Sequence, residues 1–322
     1  MMRVAEVSTI FLMGPTGAGK TALALALAAR LPIEIISVDS ALVYRGLDIG
    51  TAKPNPAMRR QAAHHLIDIC APTQPYSAAQ FRTDALTAIA AIRARGRVPL
   101  LVGGTGLYFR VLEQGLAPMP PADEPTRMRL RVELAATGAA AMHARLRTID
   151  AAAAARIHPH DPQRVLRALE VQALTGVTQS QWWQRAQLTP WSGTLVKIAL
   201  AVPDRAALGE RLAQRFHSML ERGLINEVAA LRAQPGLSLA APALRSVGYR
   251  EIWRYLAGEL ARPTMVESAI VATRQLAKRQ LTWLRRETAC MWLESADPAL
   301  TERVLRELRE RVIFNDDGSD LE

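Results

Sequence analysis

Eight residues near the N-terminus, Gly14-Pro15-Thr16-Gly17-Ala18-Gly19-Lys20-Thr21, follow the apolar run Ile10-Phe11-Leu12-Met13 and precede a stretch of alanine and leucine. That order restricts the fold, because a strand must end in a glycine-rich turn that opens a helix. In the G-x-x-x-x-G-K-[ST] pattern, glycines let successive backbone N–H groups converge on phosphate oxygens. The helix N-terminus adds partial positive charge, and Lys20 and Thr21 supply an ammonium and a magnesium ligand. The octapeptide predicts that the chain holds a di- or triphosphate. Whether that compound is a donor, an energy source or a leaving group must be read from the remaining residues.

Residues 9–13, 33–38 and 97–102 are short β-branched or leucine-rich runs, each followed by a turn and then a helical pattern. Strands alternating with helices imply a parallel, doubly wound sheet. Ser77 and Gln80 have capping-box spacing at the start of a helix that runs to about Arg95. From Gly115 the texture changes: Pro118, Pro120, Pro121 and Pro125 make a stiff connector, and residues 126–185 read as helices without a strand candidate. A strand returns at Leu195–Val202, and the chain after residue 204 is mainly helical. The expected fold is α/β, a P-loop NTPase-like parallel sheet flanked by helices, with an all-helical inserted domain. The expected boundaries are residues 1–115 for the first half of the core, 116–193 for the insert, 194–310 for the second half with basic C-terminal helices, and 311–322 for an acidic, disordered tail.

No apolar run reaches the ~20 residues of a membrane span and the N-terminus lacks a signal-peptide core, so a cytoplasmic protein is expected, without a membrane partner. Cys70 and Cys290 lie far apart in the sequence and lack metal-ligand spacing, which argues against a disulfide scaffold or a zinc ribbon and for buried thiols. The 40 Lys and Arg against 30 Asp and Glu leave a net charge of +10, which favours a polyanionic partner.

Asp39 follows the second expected strand and so falls on the rim where strand C-termini meet ligand. It reads as a reactive carboxylate, with an N-cap or a magnesium ligand as the alternatives. The third strand ends in Gly103-Gly104-Thr105-Gly106 where many P-loop ATPases carry an acidic residue, which argues for group transfer over a motor-type ATPase. His64 and His65 are adjacent and should diverge, so packing is expected in place of a metal pair; His158 and His160 also lack zinc spacing, and Asp161-Pro162 reads as a helix start. In the helix that follows, Val165, Leu166, Leu169 and Ala173 share one face, while Gln163, Arg164 and Arg167 project from the other. Arg274, Lys278 and Arg285 form a second basic stripe, flanked by Arg279 and Arg286, with Ala277, Leu281 and Leu284 anchoring the helix. Arg245-Ser246-Val247-Gly248-Tyr249-Arg250 adds an aromatic between arginines. Each stripe alone fits a solvated face equally well; together they suit a phosphate backbone and unpaired bases. Trp182, Trp183, Trp253 and Trp283 are read mainly as core packing.

Taken with the run from Asp39-Ser40-Ala41-Leu42 to Lys53-Pro54, with His64-His65-Leu66-Ile67-Asp68, with Gly103–Tyr108, with Val247-Gly248-Tyr249-Arg250 and with Thr273–Leu284, the chain resembles the tRNA dimethylallyltransferase family from the phosphate loop to about residue 295. Gly17-Ala18 stands where Ala-Ser is commoner in that family, and Leu42 stands where Gln is frequent, which removes a polar base contact there. The resemblance implies transfer of a dimethylallyl group from dimethylallyl diphosphate to N6 of the adenosine 3′ of the anticodon, with Mg2+. It implies that the loop of Gly14, Pro15, Thr16, Gly17, Ala18, Gly19, Lys20 and Thr21 holds the diphosphate through its backbone N–H groups, of which Pro15 has none, together with the Lys20 ammonium, Mg2+ at Thr21 and the side chain of Arg215. Asp39 would take a proton from the adenine amino group and Thr105 would help to orient it. The tRNA anticodon stem-loop would contact Asp39, Ser40, Ala41 and Leu42; Gln163, Arg164, Val165, Leu166 and Arg167; Arg245 to Arg250; and Lys278, Arg279, Gln280, Leu281, Thr282, Trp283, Leu284 and Arg285, with Arg127 as a further candidate. A monomer is expected. Prenylation of free adenine nucleotides, a P-loop phosphotransferase and a nucleotide-controlled RNA-binding switch are the alternatives that the sequence leaves.

Overall fold

The computed structural model describes residues 8–311. The tail expected over 311–322 therefore lies outside the described residues, apart from Arg311. In chain order the elements are β1 (Thr9–Met13), α1 (Lys20–Ala28), β2 (Ile33–Val38), α2 (Pro56–Gln61), β3 (His64–His65), α3 (Ala78–Ala94), β4 (Val98–Gly103), α4 (Gly106–Gln114), α5 (Glu124–Ile149), α6 (Ala151–Arg156), α7 (Pro162–Thr175), α8 (Gln179–Arg185), β5 (Leu195–Ala201), α9 (Arg205–Glu221), α10 (Leu224–Arg232), a 3-10 turn (Pro242–Arg245), α11 (Tyr249–Leu256), α12 (Arg262–Leu284), β6 (Met291–Glu294) and α13 (Leu300–Arg311).

The six strands form one sheet in the order β3-β2-β4-β1-β5-β6, with every pairing parallel. All residues of β1 and β2 are buried, as expected of parallel strands covered on both faces, which is why they read as mainly apolar runs, broken only by Thr9, Glu34 and Ser37. The two edge strands escape a reading by pattern: β3 is two histidines and β6 four residues, both too short to show an alternation. The helix after the phosphate loop starts at Gly19, whose φ of 81° places it in the left-handed region, and no side chain caps it. Its first amides thus remain open to an anion.

At the end of β4 the packing leaves no room for a side chain. A Cβ on Gly103 would stand 2.0 Å from the Val38 carbonyl oxygen of the neighbouring strand. Gly103→Ala must push β2 and β4 apart and is expected to lower unfolding free energy by about 2–3 kcal/mol, read by urea denaturation.

By contact the chain divides into two compact units, one made of residues up to 113 together with those from 192, the other of residues 114–191. The second unit is all-helical. Its core collects Leu130, Met142, Leu146, Ala153, Val165, Ala168 and Leu169. Asp123, Asp150, Asp161 and Thr178 each accept an N-cap hydrogen bond, and Gly138, at φ 84°, kinks α5. The face expected on α7 is corrected in one place: Ala173 is exposed, and Ala168 takes its place in the core. Glu170 is 1% exposed and is neutralised by Arg127 and Arg167, while its Oε1 also accepts the Asp123 N–H. A buried carboxylate needs such partners.

Candidate active site

One cavity of about 350 Å³ opens where β1, β2 and β4 end. Thr16 to Thr21 line one side, Asp39 and Leu42 another, and Arg215 reaches in from α9. Its deeper wall is apolar, built from Ile35, Met58, Ile67 and Val102 with Ala22 and Ala24 of α1. Ile35, Ser37 and Asp39 fall on this one face because side chains alternate along β2.

Lys20 bends back over its own loop and donates to the carbonyls of Gly14 (2.9 Å) and Pro15 (2.7 Å), which leaves those two residues buried beneath it. Desolvation lowers its pKa to about 8, against the opposing pull of Asp39 and with the help of Arg215. Desolvation likewise lowers the pKa of Arg215, again opposed by Asp39. Three charges therefore meet at the mouth: two cations suited to a diphosphate, and one carboxylate. Asp39 Oδ1 accepts the Ala41 N–H at 2.8 Å, an Asx turn that fixes the carboxylate. Thr105 stands behind this turn, its Oγ1 accepting the Ser40 N–H at 3.2 Å. The Thr21 hydroxyl is exposed at the cavity. One hydroxyl beside an anion site is the donor set that Mg2+ uses, since it keeps several waters and takes its other ligands from phosphate, so these residues fit the ion. Among the described residues no group of three acidic, His or Cys side chains offers an all-protein metal site.

Gln280 does something the sequence did not reveal. Its Oε1 accepts the Thr16 N–H at 2.8 Å and its Nε2 donates to the Gly104 carbonyl at 3.2 Å, so α12 is fastened directly to the phosphate loop. One turn on, Trp283 Nε1 donates to the same carbonyl at 3.4 Å. The glycines follow from this closeness, because a Cβ on Gly106 would lie 2.3 Å from the Trp283 ring. The opposite face of α12 carries exposed Lys278, Arg279 and Thr282, with Arg285 at its end. Lys278, Thr282 and Arg285 share a groove with Arg274 and Arg205 over Leu208, Leu212 and half-buried Leu281. Leu284 faces inward and is buried.

A second brace holds the segment from Tyr44 to Pro54 that roofs the cavity through Thr51, Ala52 and Pro54. Glu227 Oε2 accepts the N–H groups of Asp48 and Ile49, while its Oε1 accepts that of Gly50 and, at 2.6 Å, the Tyr249 hydroxyl. From within, Lys53 Nζ donates to Tyr44 O, Asp48 and Asp68. Tyr249 is fully buried, and burial together with Glu227 raises its pKa. It therefore braces the roof; any contact of that segment with RNA falls to exposed Arg245 and Arg250 and half-buried Ser246 and Val247, with Gly248 buried at φ 89°.

In the helical unit Gln163 and Arg164 are exposed, Leu166 is half-buried and Val165 is buried. Arg127 and Arg167 are both engaged with Glu170, and Arg167 also donates to the Pro120 carbonyl. His64 and His65 diverge: His64 lines the cavity, and His65 pairs with Glu34 at 2.7 Å. Cys70 is buried and Cys290 half-buried, its thiol pushed up to about 12 by burial.

Comparison with known proteins gives one answer. The sequence model of the family described as IPP transferase matches residues 42–287. The chain is 58% identical over 302 residues to the tRNA dimethylallyltransferase of Alkalilimnicola ehrlichii, covering 92% of this chain and 94% of that one. It is 50% identical over 312 residues to the protein of the same name from Methylococcus capsulatus, covering 97% and 100%. Among solved structures, a full-length tRNA isopentenylpyrophosphate transferase from Bacillus halodurans superposes with a TM-score of 0.68 at 35% identity, covering 95% of this chain and 98% of that one. A eukaryotic dimethylallyltransferase acting on tRNA superposes with a TM-score of 0.76 at 25% identity, covering 97% and 81%.

Proposed function

The chain belongs to the IPP transferase family, and from that premise we propose that it transfers a dimethylallyl group from dimethylallyl diphosphate to N6 of the adenosine 3′ of the anticodon in tRNA. The observation that carries this reading is that a phosphate loop, an Asp39 carboxylate and an apolar wall share one cavity of about 350 Å³. A five-carbon diphosphate needs each of these. The loop amides other than that of Thr16, which donates to Gln280, hold the diphosphate with Lys20 and Arg215, and Mg2+ held at Thr21 would neutralise charge on it. The allylic C1–O bond breaks with its electron pair leaving on the diphosphate, while the N6 lone pair forms the new C–N bond. Asp39 receives the N6 proton.

The target base must leave its stack to enter the cavity, so RNA is gripped outside it. Lys278 and Arg285 suit that task, being exposed on the groove face of α12. Lys278→Ala and Arg285→Ala are each expected to weaken binding of an anticodon stem-loop and to reduce the slope of log affinity against log salt by about one, with little change in donor affinity. Fluorescence titrations over a salt series measure this; an unchanged slope removes the residue from the RNA surface.

No helix among the described residues is long and apolar enough to cross a membrane. Monomeric action in the cytoplasm, where tRNA is found, completes the proposal. The test is incubation of the protein with Mg2+, dimethylallyl diphosphate and an anticodon stem-loop, followed by mass analysis of the adenosines. A prenylated adenosine supports the reading. Absence of product, with ATP turnover in its place, overturns it, and preferential modification of free AMP reassigns the acceptor.

A further inference from the structure

Two polar atoms on the apolar wall of the cavity are left over by the chemistry above. Ser37 is 4% exposed, lines the cavity below Asp39, and its Oγ has no hydrogen-bond partner among the described residues. His64 lies on the neighbouring strand opposite Ile35, diagonal to Ser37, and lines the same wall. Its Nδ1 sits 2.8 Å from the Ala62 carbonyl. A carbonyl only accepts, so Nδ1 carries the proton of the neutral ring and Nε2 keeps its lone pair. Burial lowers the pKa of His64, which favours that neutral ring. Ile35, Met58, Ile67 and Val102, which line the same cavity, are apolar.

Resting on the prenyl-transfer reading, we propose that Ser37 and His64 form an electron-rich wall that stabilises the positive charge developing on the five-carbon group as it leaves the diphosphate. As the C1–O electron pair departs with the diphosphate, charge spreads over C1 and the substituted C3. C1 is flanked by the diphosphate and the N6 lone pair. C3 has no such neighbour, and the dipoles of a neutral hydroxyl and a neutral imidazole on the wall supply electrostatic stabilisation there. A buried hydroxyl without a partner is costly to keep. It earns its place when its dipole faces charge that appears only in the transition state.

Single-turnover transfer separates this from a packing role. Ser37→Ala and His64→Phe are each expected to slow transfer about tenfold, a loss typical of one neutral dipole, with donor affinity within about twofold of the unaltered protein. His64→Gln, which keeps an acceptor oxygen, should recover most of the rate. A donor bearing fluorine on a C3 methyl reacts more slowly in every variant because fluorine withdraws electrons from the cation; this penalty should grow in Ser37→Ala and His64→Phe. Unchanged rates, an unchanged fluorine penalty, or a loss that appears wholly in donor affinity would overturn the wall. Absence of any transfer by the unaltered protein would remove the function itself and the wall with it, whereas normal transfer with insensitive variants removes the wall alone.

Discussion

Replacing Asp39 with alanine is expected to lower the single-turnover rate of transfer by about 10²- to 10⁴-fold, while affinity for the anticodon stem-loop stays within about threefold. The asymmetry follows from where the carboxylate stands. Asp39 Oδ1 is fixed by the Ala41 N–H, and the group faces Lys20 and Arg215 across the cavity mouth. An exocyclic adenine amine is a poor nucleophile because its lone pair is conjugated with the ring, so removal of its proton as the C–N bond forms lowers the barrier. Ground-state binding gains little from that interaction. Asp39→Asn keeps the Asx turn but accepts no proton, and should fall as far as the alanine variant. A rate near that of the unaltered protein in Asp39→Asn would reduce Asp39 to a turn residue, and equal losses in rate and RNA affinity would make it a binding group.

How much of this was legible in the residues depends on range. The phosphate loop, α1 and the capping box at Ser77 are local patterns, in which neighbouring residues carry the whole signal. Asp39 was within reach because topology places every strand end of a parallel sheet on one rim. Gln280 was not: its partners, Thr16 N and Gly104 O, lie 264 and 176 residues away, and in the sequence it sits in a basic stretch that reads as an RNA-facing helix. The same helix serves both purposes because residues 280, 283 and 284 share one face while 278 and 285 lie on another. Tyr249 drew attention as an aromatic between arginines, yet its hydroxyl is held by Glu227 from a different helix. Ser37 and His64 were invisible as a pair, since only the β2–β3 register brings them to one wall.

Lys20→Met is expected to weaken binding of the allylic diphosphate and to lower transfer together, by about 10²- to 10³-fold in rate over affinity, the range for deleting one preorganised donor to a developing anion. The variant also removes a pH dependence. With its pKa lowered to about 8 by desolvation, Lys20 is partly deprotonated in the free protein just above neutrality. A bound diphosphate stabilises the ammonium and raises that pKa, so as pH rises through the free value of about 8 binding must take up a proton. Affinity therefore falls as pH rises, by about tenfold between pH 7 and 9, a window in which the diphosphate itself, with its last pKa near ~6, is already fully ionised. Calorimetry in magnesium-free buffers of differing ionisation enthalpy reads the proton directly. The unaltered protein should show uptake that grows from pH 7 to 9, and Lys20→Met none. Identical proton uptake in both would place the titrating group elsewhere and leave Lys20 as a loop brace that donates to Gly14 and Pro15.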